Sequence, residues 1–116
     1  MVILVCGSRA YTDGYKMDSV IGGLQARGAT KIITGGATGA DAFASRIAKN
    51  RGIALEIFEA EWDKYGKSAG PRRNTAMLNQ APDLVVAFTS DLDSSPGTLD
   101  TIKKAIHKGI PVQLYP

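Results

Sequence analysis

The sequence predicts a three-layer α/β/α fold built on a five-stranded parallel sheet, with strand order 3-2-1-4-5. Three observations predict it. Five short apolar runs rich in β-branched residues recur along the chain, amphipathic helical spacing fills the intervals, and the runs lack the polar alternation of half-solvated strands. Strands buried on both faces and separated by helices give a parallel sheet with helices on each side.

In chain order, Val2 to Val5 is the first strand. Met17, Val20, Ile21 and Leu24 follow at i, i+3, i+4 and i+7, the stripe of a helix with one buried face. Lys31 to Thr34 is the second strand, and Ala40, Phe43, Ala44, Ile47 and Ala48 repeat the helical spacing. Ala54 to Phe58 is the third strand, Arg72 to Asn79 the third helix and Leu84 to Phe88 the fourth strand. A fourth helix turns Leu99, Ile102, Ala105 and Ile106 inward, and Pro111 to Leu114 closes the sheet. Gly28, Gly52 and Gly109 each follow a helical stretch, where a left-handed residue ends a helix at low cost. The arrangement is Rossmann-like and spans residues 1–116 as one domain.

Composition narrows the function classes. With 116 residues and 44% hydrophobic content, the chain can build a core, and no apolar run approaches the roughly 20 residues of a membrane span. A cytoplasmic protein without a membrane partner is expected. Cys6 and His107 are the only residues of their kinds, so a zinc site of cysteines and histidines is excluded, and neither a metal nor a cofactor is assigned. The net charge of +3 suits an anionic ligand or nucleic acid without choosing between them.

In a parallel sheet all strand-to-helix loops leave from one edge, and ligands bind there where the strand order reverses. The loops on that edge are the long and unusual ones. Gly7, Ser8 and Arg9 follow the first strand; Ser8 offers a hydroxyl and Arg9 a fork of donors suited to phosphate. The segment GGATGAD (Gly35 to Asp41) opens the second helix, and Gly35, Gly36 and Gly39 let backbone amides approach an anion at the positive helix end. Thr38 and Asp41 also fit a capping box, so a capped helix after a tight turn is the plainer explanation. Asp41 is open to three roles: cap, acceptor for a ribose hydroxyl, or catalytic carboxylate.

The third loop, Ala60 to Asn74, carries the only tryptophan, Trp62, among Lys64, Tyr65, Lys67, Arg72 and Arg73. Aromatics among cations suit a stacked base and its phosphate, although Trp62 equally suits packing the loop on the sheet. Arg73 and Asn74 point toward the ligand edge better than Arg72. In the fourth loop, Ser95 is placed as an N-cap, Pro96 as the first helical residue, and Gly97 and Thr98 as donors of amides and a hydroxyl.

Taken together, GSR, GGATGAD, W-x-x-Y-G-x-x-A-G-P-x-R-N, PD-x-VVAF and S-x-GT resemble the SLOG superfamily of Smf/DprA and Lonely Guy proteins. The pattern is most similar to its YspA-type branch of small bacterial and phage proteins. The resemblance runs from Val2 to Pro111 and implies a Rossmann-like domain that binds a nucleotide or a nucleotide-derived molecule as a sensor or processing module. Lonely Guy enzymes hydrolyse the N-glycosidic bond of nucleoside monophosphates through PGG-x-GT-x-x-E. Here the glutamate position is Thr101 and the double glycine is missing, so Asp41 and Asp100 are the carboxylates left for such chemistry. The resemblance to DprA implies single-stranded DNA as a rival, less favoured ligand. Exposed helices leave a homodimer open, as no heptad or large apolar stripe compels one.

Overall fold

The computed structural model describes residues 1–116. Strands β1 (Val2–Gly7), β2 (Lys31–Gly35), β3 (Ala54–Phe58), β4 (Leu84–Phe88) and β5 (Val112–Tyr115) form one sheet in the order β3-β2-β1-β4-β5. All four pairings are parallel, with Leu4 registered against Ile33 on one side and Val85 on the other. The predicted class and strand order hold.

Alternation along the inner strands sets the layering, because successive side chains point to opposite faces. Ile3, Val5, Ile32, Leu84, Val86 and Phe88 pack beneath α1 (Gly14–Ala26) and α2 (Ala40–Arg51), against Met17, Ile21, Leu24, Ala44, Ile47 and Ala48. Leu4, Cys6, Ile33, Val85 and Ala87 pack on the other face against Met77 and Leu78 of α4 (Ala69–Leu78) and Ile102 and Ala105 of α5 (Pro96–His107). Each fully buried aliphatic side chain contributes about 1.5–3 kcal/mol of transfer free energy. Gly28, Gly52 and Gly109 hold φ of 107°, 66° and 75° after their helices, as their positions predict.

Four local expectations need correction. Ile106 does not turn inward with Ile102 and Ala105 but is 66% exposed. The loop after β3 is not irregular: it contains α3 (Trp62–Tyr65) and a 3-10 turn (Gly66–Ser68) leading directly into α4. α4 therefore begins at Ala69 and not Arg72, with Pro71 in its first turn, where a missing N–H removes no helical bond. Tyr65 is the pin of this segment, with Arg72 4.3 Å and Lys64 5.0 Å from its ring centre. Ser95 precedes α5 but makes no side-chain cap; its Oγ instead lies 3.0 Å from Thr89 Oγ1 and braces the loop after β4. The capping box at α2 also fails, because Gly39 is the N-cap and Thr38 Oγ1 donates to Arg9 O at 3.4 Å.

Candidate functional site

The sheet order reverses between β1 and β4: β1 leads by α1 to β2 on one side, and β4 leads by α5 to β5 on the other. Neither connection covers the carboxyl ends of β1 and β4, and a cleft of about 380 Å³ opens there. Its floor is Cys6 and Met77, and its walls come from four loops: Gly7 to Ala10, Ala37 with Asp41, Arg73 with Asn74, and Ser94 to Thr98. A second, outer cleft of about 570 Å³ adjoins it, lined by Gly36, Ala37, Thr38, Glu59, Ala60 and Trp62. Arg9 and Arg73 line both, so two guanidinium groups mark the boundary.

Arg73 is placed from both directions. Its Nε donates to Asn74 Oδ1 at 3.0 Å and its Nη1 to Phe58 O at 3.4 Å. Gly35 makes the room: a Cβ there would lie 2.4 Å from Arg73 Nη1 and 2.7 Å from Asp41 Oδ2. Asn74, itself 3% exposed, is held by its Nδ2 donating to Gly97 O at 3.2 Å and Asp100 Oδ2 at 3.0 Å. Asp100 also accepts from Lys104 Nζ at 2.9 Å. Arg9 differs, since its exposed guanidinium has no hydrogen bond or ion pair within the protein and is free to meet a ligand.

Asp41 is the buried acid of the inner cleft. Loss of water raises its carboxyl above the ordinary 3.8, against the opposing pull of the Ala37 N–H, Arg73, Thr34 and Arg9. Ala37 N donates to Oδ2 at 3.2 Å. Thr34 Oγ1 lies 2.7 Å from Val5 O and 3.2 Å from Asp41 Oδ1. A hydroxyl has one proton, so Thr34 donates to the Val5 carbonyl or to Oδ1 and not fully to both, and its share in holding Oδ1 opposes the upward shift. Burial likewise pushes the Cys6 thiol far up, which leaves it a poor nucleophile.

At the opposite wall, the N–H groups of Gly97 and Thr98 have no backbone acceptor, as expected of the first turn of α5, and both residues line the inner cleft. Thr101, where the resemblance expects a catalytic glutamate, also lines it, 1% exposed with Oγ1 donating to Gly97 O at 3.1 Å. No group of three or more His, Cys, Asp or Glu side chains lies together in a way that would hold a metal ion.

The structure thus gathers Gly7, Ser8, Arg9, Asp41, Arg73, Asn74, Ser95, Gly97 and Thr98 around the inner cleft and Gly36 and Trp62 around the outer one. Gly35 is buried, and Gly39 and Asp100 are half-buried and line neither cleft. Gly39 has φ +69°, and a Cβ there would lie 2.4 Å from the carbonyl oxygens of Ser8 and Arg9, so its work is the turn itself. Sequence reasoning passed over Glu59 and Thr34. Thr34 carried a signal, as the polar residue inside a buried strand one position before the glycine loop. Glu59 carried only its place directly after β3, where an acid is commonplace.

Comparison with known proteins bears on the family and the fold of the chain. A family model described as YAcAr, the YspA, cpYpsA-related SLOG family, matches residues 1–65. The Gene 61 protein of Mycobacterium phage D29 is 32% identical over 117 residues, covering 95% of this chain and 92% of that protein. Among solved structures, DNA processing protein A (DprA) from Streptococcus pneumoniae superposes with a TM-score of 0.74 over 98% of this chain at 21% identity, a likeness of fold. The chain spans half the length of that DprA chain.

Proposed function

Because the chain belongs to the YspA, cpYpsA-related SLOG family, we propose that it binds a nucleotide or nucleotide-derived phosphorylated ligand, a mononucleotide or an ADP-ribose-like molecule, along the carboxyl edge of its sheet. One observation carries this reading: the segments that follow four different strands deliver two arginines, the unpaired amides of α5 and a buried carboxyl to one cleft. Arginine forks and helix-terminal amides suit phosphate oxygens. Asp41 and Asn74 suit hydroxyls and amides, and both cleft volumes fall in the range of small-molecule sites, roughly 300–1,000 Å³.

A thermal-shift screen of mononucleotides and ADP-ribose tests it, since a ligand of the folded state raises its melting temperature by mass action. Arg9→Ala removes a guanidinium with no internal partner, so the variant folds normally and binds hits at least ten-fold more weakly, about 1.5–3 kcal/mol for a charge-assisted contact. A screen without hits, or hits indifferent to Arg9→Ala, refutes the reading. Single-stranded DNA as the true ligand would instead give oligonucleotide binding that falls steeply with salt and no response to small molecules.

A second reading has its own support. A carboxyl raised above its ordinary value by burial is better suited than an exposed one to protonating a departing base, so hydrolysis of a nucleotide N-glycosidic bond is the enzymatic alternative, with Asp41 as the acid. Asp100 is less suited, because it is engaged by Lys104 and Asn74 away from the cleft lining. Chromatography of each hit after incubation reads free base directly.

A further inference from the structure

The two clefts share Arg9 and Arg73 and each holds one acid, Asp41 in the inner and Glu59 in the outer; they differ in what else they present, and the difference gives the ligand a direction. The inner cleft presents the α5 amides opposite Arg9 and Arg73. The outer cleft ends in a carboxylate and an indole. Glu59 is exposed, has no hydrogen-bond or ion-pair partner in the protein, and rests on Gly36: a Cβ at that glycine would lie 2.9 Å from Glu59 Cγ and 3.2 Å from Oε1. Trp62 is 50% exposed, and the edge of its six-membered ring is seated near Gly70, 3.2 Å from where a Cβ would stand. An unpaired carboxylate beside the glycine loop repels phosphate and attracts N–H donors, while a half-exposed indole offers a face to a planar ring.

Resting on the nucleotide reading above, we propose that the outer cleft is a nucleobase subsite selective for guanine-type bases, with Trp62 as the stacking surface and Glu59 as the acceptor, and the phosphate lying inward at Arg9 and Arg73. The choice of base follows from the acceptor. Guanine offers two neighbouring donors, N1–H and the 2-amino group, at the spacing of two carboxylate oxygens. Adenine and cytosine pair one amino group with a ring nitrogen acceptor that Glu59 would repel. Uracil flanks its single N–H with two carbonyls. Hypoxanthine keeps N1–H and loses the amino group, which makes it the discriminating control.

The test is a 1H–15N titration of the full chain with GMP, IMP, AMP and ribose 5-phosphate, on the wild type, Glu59→Gln and Trp62→Ala. Both altered side chains lie at the surface, and retained spectra report that the variants are folded. GMP is expected to bind at least ten-fold more tightly than IMP or AMP, Glu59→Gln to bring GMP within about three-fold of AMP, and Trp62→Ala to weaken every nucleotide while sparing ribose 5-phosphate. Ribose 5-phosphate separates the two claims. If it perturbs Gly97 and Thr98 while GMP and AMP bind alike, or if Glu59→Gln weakens both equally through a ribose contact, the base assignment is overturned and the phosphate site stands. If neither ribose 5-phosphate nor any nucleotide perturbs the clefts, both fall.

Discussion

At the scale of single residues, Asp41 and Arg73 divide the work of the inner cleft, one buried and short of water, the other braced by neighbours. A folded carboxyl raised above 3.8 binds its proton more tightly than the unfolded chain does, so its contribution is fully present below that value and is lost as pH rises through the raised one. Asp41→Asn removes the penalty: the amide NH2 can donate to Thr34 Oγ1 and the amide oxygen still accepts from Ala37 N. The variant should therefore gain roughly 1 kcal/mol, about 4 °C in melting temperature, at pH 7 and lose that advantage below pH ~4, as read by thermal melts across pH. If Asp41 serves the ligand, the same variant loses ligand response while gaining stability. Ser8 and Arg9 were legible in the sequence because they stand directly after a strand, whereas Arg73 was legible only as a cation near the ligand edge, since it is the fifth residue of α4 and not at its start. The exchange of duties among Thr34, Asp41 and Ala37 was not, since a hydroxyl's single proton can be assigned only when both of its acceptors are in place.

At the scale of elements, the strands were readable to within two residues at their ends; in β1, β2 and β4 burial on both faces leaves a continuous apolar texture, while the edge strands β3 and β5 are half-exposed. The segment Trp62 to Ser68 was not readable, as a four-residue helix and one 3-10 turn are too short to express a hydrophobic period. Caps were misassigned for a related reason. Ser95 and Thr38 have the right chemistry for N-caps, but the loops before α5 and α2 turn their hydroxyls toward Thr89 and Arg9 O. The turn before α2 depends on Gly39 instead. Gly39→Ala places a methyl against two carbonyl oxygens at positive φ, and a cost of about 2–4 kcal/mol is expected, measured as a lower urea midpoint with unchanged slope. A cost under 0.5 kcal/mol would mean that the loop relaxes freely.

On the scale of the whole molecule, the order β3-β2-β1-β4-β5 brings residues from Gly7 to Thr98 to one edge, and the alternation of elements made the parallel sheet legible without by itself fixing that order. What the alternation could not express was the partition of that edge into two compartments, because the partition is made by Arg9 and Arg73, and Arg73 reaches its place only when α4 packs beside β3 and a glycine occupies position 35. No helix is long and apolar enough to cross a membrane. A dividing wall of two side chains, of which only Arg9 is unanchored, has a thermodynamic corollary. Whatever immobilises the Arg9 guanidinium from one compartment has already met the ordering cost for an occupant of the other, so the halves should communicate reciprocally. Inorganic phosphate is then expected to tighten guanosine binding several-fold, guanosine to tighten phosphate by the same factor, and Arg9→Ala to reduce both factors to one.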